Sequence, residues 1–175
     1  TGENIQGRGR GVLTLNIDTQ GNFSMTGNYE ITEAKYNFSL YNIIRREFVV
    51  QPGGRISWFG DPYEGVMDIR ATYQESVSLQ NLQNNRVTGT ELEDPQLRRR
   101  WPLKVIMDLK GNLLSPDIAF DFDFTEFPEG ALQTYISAFR NRIANDEQEK
   151  NRQVFSVIMM RSFSLGDRHC GPGAC

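Results

Sequence analysis

The chain has 175 residues, a net charge of −3, a pI near 5.3 and a mean hydropathy of −0.50. That length suffices for a domain with its own core. The acidic balance gives no support for nucleic-acid binding, which goes with a basic surface, and no apolar run approaches the roughly 18 residues a membrane-spanning helix needs.

Thr1-Gly2-Glu3-Asn4 is polar and lacks the apolar core of a signal peptide. The missing initiator Met reads as an excised or processed piece of a longer protein, so membrane contact is expected through parts of the parent absent here. Gly7-Arg8-Gly9-Arg10-Gly11 precedes a strand, not a helix, so it lacks the helix N-terminus of a phosphate loop and reads as a flexible lead-in.

From residue 12 to 125 the pattern has period 2, which puts alternate side chains on opposite faces of a strand. Leu13, Leu15 and Ile17 alternate with Thr14, Asn16 and Asp18, and Thr19-Gln20-Gly21-Asn22 reads as a hairpin turn. Phe23, Met25 and Tyr29 follow, with Gly27 in phase, then Tyr36, Phe38 and Leu40. Phe48 and Val50 lead to Pro52-Gly53-Gly54, a turn signal; Ile56 and Trp58 lead to Gly60-Asp61-Pro62, another. Met67, Ile69, Ala71 and Tyr73 alternate with Asp68, Arg70 and Thr72, and Val77 and Leu79 continue the series.

Residues 80–100 are polar and read as a long mobile loop. Order returns at Trp101, with Leu103, Val105, Met107 and Leu109 on one face, and Gly111-Asn112 makes a turn. The next strand is the most lopsided. Ile118, Phe120, Phe122 and Phe124 share one face, and Ala119, Asp121 and Asp123 the other. Such a face needs a cover: a second sheet, a helix or a greasy ligand.

After Pro128 the period becomes helical. Leu132, Tyr135, Ile136, Phe139 and Ile143 mark one helix. Asn145, with Gln148 three residues on, reads as the cap of a second, loaded by Val154, Phe155, Val157, Ile158 and Met159. The Asp146–Arg152 charge run reads as an exposed helix face. The small, turn-rich residues 164–175 read as a disordered tail.

Candidate chemistry is sparse. Asp121 and Asp123 lie roughly 7 Å apart by the strand rise, but the apolar opposite face makes a solvated exterior the simpler reading. The single His169 beside Cys170 and Cys175 is too thin a cluster for a metal site, and two cysteines at the very end hold no disulfide framework. No serine has a histidine outside that tail to activate it. Arg98-Arg99-Arg100-Trp101 reads as a solvated loop end, with contact to anionic headgroups as the other reading. No enzyme, cofactor or metal is expected.

One set of ordered motifs goes further. Leu40-Tyr41-Asn42-Ile43-Ile44, then the stretch from Phe48 to Trp58, Gly60-Asp61-Pro62 and the run from Met67 to Tyr73 resemble the C-terminal domain of the TamB family. So does the later run from Met107 to Ile118, and residues 145–156 resemble the version found in Bacteroidota-type bacteria. The resemblance covers roughly residues 10 to 163; the segment usual in the family beyond Ser164 reads as replaced by the Gly/Cys tail. It implies a long envelope protein, related to AsmA-like proteins, anchored in the inner membrane and crossing the periplasm of a Gram-negative bacterium toward the outer membrane. It also implies an open groove carrying glycerophospholipids, and outer-membrane protein assembly with TamA, a BamA-like partner.

The expected fold is therefore mainly β: an antiparallel meander curled into an open, taco-like half-pipe with an apolar interior, plus a short C-terminal helical pair. Residues 1–127 form the groove domain and 128–163 the helical appendage. The expected lining for phospholipid acyl chains is Phe23, Met25, Tyr36, Phe38, Leu40, Met67, Ile69, Leu103, Val105, Met107, Leu109, Ile118, Phe120, Phe122 and Phe124. Two alternatives stay open: a chaperone-like module that templates barrel strands by β-augmentation, and a structural β-sandwich or adhesin module with a self-filled core.

Overall fold

The structure, a computed structural model, describes residues 4–40, 44–80, 95–127 and 130–164. Seven strands form one antiparallel sheet: β1 (Asn4–Ile17), β2 (Phe23–Leu40), β3 (Ile44–Val50), β4 (Arg55–Gly60), β5 (Val66–Ser78), β6 (Arg100–Asn112) and β7 (Ser115–Asp123). The order is β1-β2-β3-β5-β6-β7, with β4 pairing β2 and β5. The sheet is a meander and not a closed barrel. A single-turn helix α1 (Pro95–Arg98) precedes β6, and α2 (Ala131–Ala144) and α3 (Glu147–Met160) end the described chain. The described strands belong to one sheet, so the β-sandwich expectation has no second sheet to rest on.

The chain divides into two compact units, each built from separate stretches: Thr1–Tyr73 with Lys104–Asp121, and Gln74–Leu103 with Phe122–Cys175. The division does not follow the change from strand to helix after residue 127.

In the first unit, two interruptions keep apolar side chains on one face. Phe23, Met25 and Tyr29 have odd numbers, whereas Ala34 and Tyr36 have even ones. The parity changes at Thr32, because Arg8 pairs with Glu33 and Gly9 with Ile31. Thr32 is the extra residue of a β-bulge, and its hydroxyl donates to the Arg8 carbonyl at 3.0 Å.

The second interruption corrects a sequence reading. Pro52-Gly53-Gly54 does not reverse the chain. Val50 pairs with Ala34 and Arg55 with Glu30, so β3 and β4 run in line along β2. Residues 51–54 form a pouch anchored by Ile31 N–H to Gly54 O at 2.7 Å and Gly53 N–H to Ile31 O at 3.0 Å. Gly53 takes φ +93°, a conformation that favours glycine. The reversal comes at Gly60-Asp61-Pro62, where Asp61 Oδ1 accepts the Tyr63 N–H at 2.8 Å and opens the 3₁₀ turn Pro62–Glu64.

The Gly7–Gly11 run is also not a flexible lead-in. It lies within β1, with Gly7 opposite Ala34, Gly9 opposite Ile31 and Gly11 opposite Tyr29. The reason is steric. A Cβ at Gly9 would stand 2.5 Å from the Tyr29 ring, so glycine leaves the space that ring fills.

In the second unit, α2 buries Leu132, Ile136, Phe139 and Ile143, as its spacing predicts. The cap of α3 is one residue later than expected. Asp146 has the extended backbone, and its Oδ1 accepts the Glu149 N–H at 2.9 Å, while Asn145 is the C-cap of α2. A carboxylate there also meets the positive end of the helix dipole. Arg161 ends α3 at φ 57°, turning the chain back so that Phe163 is wholly buried.

The charge run at the start of α3 is exposed only in part. Glu149 is half-buried, accepting from Arg152 Nη2 at 2.6 Å and Gln153 Nε2 at 2.8 Å, with Arg142 Nε at 3.8 Å. Of the long loop expected over 80–100, residues 81–94 lie outside the described residues. Leu97 of α1 is buried, and Ser78 Oγ donates to its carbonyl at 2.7 Å.

Candidate functional site

Cross-strand partners in an antiparallel sheet share a face. In the first unit Leu15 pairs with Met25 and Ile17 with Phe23. Tyr29 pairs with Ile56, which pairs with Met67. Tyr36 pairs with Phe48, Ala34 with Val50, and Val50 with Ala71. One face of this unit is therefore apolar from β1 to β5.

Its two ends differ in cover. Ile31, Ala34, Phe48, Val50, Ile69, Ala71 and Tyr73 are buried, and the Phe48 ring lies 5.5 Å from Tyr73. Toward the β1–β2 turn the same face opens: Leu15 is 60 %, Ile17 69 % and Phe23 45 % exposed. Met25, Ile56, Trp58 and Met67 are half-buried.

The opposite face is mostly polar, with Val12, Val49, Phe59 and Val66 exposed on it, and is laced by cross-strand pairs. Arg10 meets Glu30 at 3.2 Å, Lys35 meets Glu47 at 2.8 Å, and Ser57 donates to Asn28 at 2.6 Å. Arg70 donates from Nε and Nη2 to the two oxygens of Asp108 at 2.6 and 2.9 Å. That pairing holds the Asp108 carboxyl below the usual carboxylate range, against partial burial, and raises Arg70, with Asp68 and Asp121 adding to the latter. An open recess of about 610 Å³ at the 51–54 pouch is lined by these paired charges and by Arg55.

The expected lining residues are distributed unevenly. In the first unit Phe23 and Ile118 are exposed, Met25, Tyr36, Met67, Leu109 and Phe120 are half-buried, and Ile69, Val105 and Met107 are buried. The side chains of Phe38 and Leu40 lie outside the described ones. In the second unit Leu103, Phe122 and Phe124 are buried.

Phe122 and Phe124 are covered from within the chain. Phe122 lies 5.6 Å from both Phe139 and Phe163, and Phe124 lies 5.3 Å from Phe127 and 6.0 Å from Phe139. Beside them Gln153, fully buried, donates to Ser164 Oγ at 2.8 Å and accepts the Ser164 N–H at 2.9 Å. Ser156 Oγ donates to Ser162 O at 2.7 Å.

Sequence reasoning left Leu13, Leu15 and Ile17 off the lining, although their alternation was visible. Leu15 and Ile17 are the partners of Met25 and Phe23, and Leu13 lies opposite Gly27.

Asp121 is exposed, and Asp123 Oδ1 accepts the Thr125 N–H at 2.8 Å, a turn role. Arg99 stacks over Trp101 at 4.8 Å, and Arg100 donates to the Ser76 carbonyl. Among the described residues no group of three His, Cys, Asp or Glu is placed to hold a metal; His169, Cys170 and Cys175 lie outside them. No described helix is long and apolar enough to cross a membrane.

Compared with known families, residues 1–169 match the model described as the TamB C-terminal domain. The match begins before the motifs quoted above and continues past Ser164, into the stretch read as replaced. No curated protein matches the chain.

Proposed function

Because the chain belongs to the TamB C-terminal domain family, a family of bacterial envelope biogenesis that works with TamA-like partners, we propose that its uncovered apolar sheet face holds phospholipid acyl chains in transit between inner and outer membrane. The observation that carries this reading is the pair of rows Leu15–Met25 and Ile17–Phe23, left open at one end of a face that is buried toward the other. An acyl chain laid on such a face gains about 0.8 kcal/mol per buried methylene. It needs no directed polar contact, so the role proposed is conduction without catalysis.

On this reading the half-buried Met25, Tyr36, Met67, Leu109 and Phe120 and the exposed Phe23 and Ile118 contact acyl chains, in a periplasmic setting. Phe122 and Phe124 act as the closed floor beneath α2. Photo-crosslinking from Met25 in the presence of phospholipid, with native mass spectrometry of the purified chain, tests this. Phospholipid adducts at Met25, lost in Leu15→Asp, are expected; a lipid-free protein with no adduct at Met25 would sink the reading.

A second reading has its own observation. β1 is an edge strand of 14 residues that pairs only with β2 among the described residues. Such an edge offers a template for β-augmentation by an unfolded barrel strand. Proline substitution at Thr14 should then abolish capture of a barrel-strand peptide and leave phospholipid adducts at Met25 in place.

A further inference from the structure

The antiparallel topology brings three turns of the first unit to the same end of its strands: residues 18–22 between β1 and β2, 61–65 between β4 and β5, and 113–114 between β6 and β7. Two of them touch, because the Leu113 N–H donates to Gly65 O at 2.7 Å. Met25 pairs with Gly60, which sets the first turn beside the second.

This end carries large apolar side chains that are exposed, Phe59 and Val66 on the face opposite Ile17 and Phe23. Ile17 is 69 %, Phe59 79 %, Tyr63 70 % and Leu114 69 % exposed, with Phe23 and Val66 near 45 %. Exposed apolar clusters of this kind mark interaction sites, whereas single exposed residues need no explanation. The charges are equally one-sided. Residues 11–29, 56–69 and 111–122 contain no Lys or Arg, while Asp18, Asp61 and Glu64 sit at the turns and Asp117 lies near the start of β7. Of the first unit's cations, Arg8, Lys35, Arg45 and Arg46 lie toward the other end of β1, β2 and β3, whereas Lys110 stands near this end of β6, 3.9 Å from Asp68.

We propose that this turn-built end docks on a zwitterionic lipid surface, with Tyr63, Leu114 and Phe59 entering the interface and the open rows Leu15–Met25 and Ile17–Phe23 meeting the bilayer directly. Two features select this occupant. The uncovered apolar rows run off the sheet at this end, so a membrane docked here continues them. The cation-free, acidic turns are repelled by anionic headgroups and tolerated by neutral ones. The inference deepens the acyl-chain reading and rests on it for the choice of a membrane over a protein.

Flotation of the full chain with phosphatidylcholine vesicles tests it. Co-flotation is expected, falling as phosphatidylglycerol is mixed in. The double variant Tyr63→Ser with Leu114→Ser should lower vesicle affinity on the order of tenfold with circular dichroism and melting unchanged. No flotation with phosphatidylcholine, flotation that rises with phosphatidylglycerol, indifference to the double variant, or capture by a polylysine surface in place of vesicles would each overturn it. Phospholipid adducts at Met25 in vesicle-free solution separate the two readings. If they persist while flotation fails, the docking inference alone is lost; if they fail while flotation holds, the acyl-chain reading is lost and the docking end stands.

Discussion

The rings of Phe122 and Phe163 meet edge to face with centroids 5.6 Å apart, and both side chains are almost wholly buried. A residue beyond the last helix thus covers part of the most apolar strand. Phe163→Ala should destabilise the chain by about 3 kcal/mol or more, as large-to-small aromatic changes in cores do. Ile118→Ala, on the same strand but 54 % exposed, should cost under about 1 kcal/mol, since it leaves no cavity. Urea unfolding of the two variants distinguishes a filled core at Phe122 from an open wall at Ile118.

The cap of α3 gives a second test. Asp146→Ala should cost about 1 kcal/mol by orphaning the Glu149 N–H, and Asn145→Ala should cost less. Equal losses for the two would return the cap to Asn145. Thermal melts of both variants suffice.

The Arg70–Asp108 pair predicts a pH dependence. Its hydrogen bonds put the folded carboxyl below its unfolded value. Its stabilisation is therefore fully present above the unfolded value, about pH 4, and is lost as pH falls through the folded one. The Arg70 side chain is 58 % exposed, so solvent screening keeps the effect small. Arg70→Gln should lower stability at pH 7, and the gap to the wild type should close below about pH 4 in acid titrations of denaturant midpoints.

Gln153 is the buried polar tie to the last described segment. Gln153→Leu should cost on the order of 2 kcal/mol, because the half-buried Ser164 N–H and hydroxyl lose their partner. Hydrogen exchange at Ser164 should speed up before that of the α3 interior. Unchanged exchange at Ser164 would contradict a clasp there.

Much of the sheet was legible because one-sided burial writes itself as period 2, and α2 because its four buried residues keep helical spacing. What sequence hid were the irregularities. Pro52-Gly53-Gly54 carries the chemistry of a reversing turn, and only the pairing of Val50 and Arg55 to the same strand shows that the chain continues onward. Thr32 carries no signal of its own; the parity change between Tyr29 and Tyr36 was its trace. For the candidate face, alternation told which residues share a side but not which are covered. Phe122 and Phe23 read alike along their strands, yet one is 2 % and the other 45 % exposed, because only tertiary packing brings Phe139 and Phe163 to the first.

The extra residue at Thr32 gives β2 something like a reading frame. Substitutions along the strand change one side chain, but deleting Thr32 would rotate every position from Glu33 to Leu40 by half a period. Tyr36 would be sent to the wet side, with Lys35 and Asn37 turned inward. The four-residue pouch in the neighbouring strand lies opposite and carries its own offset, so the two insertions are linked in length. Descendants of this chain should therefore accept point changes at Thr32 readily, and gain or lose residues there only in step with residues 51–54.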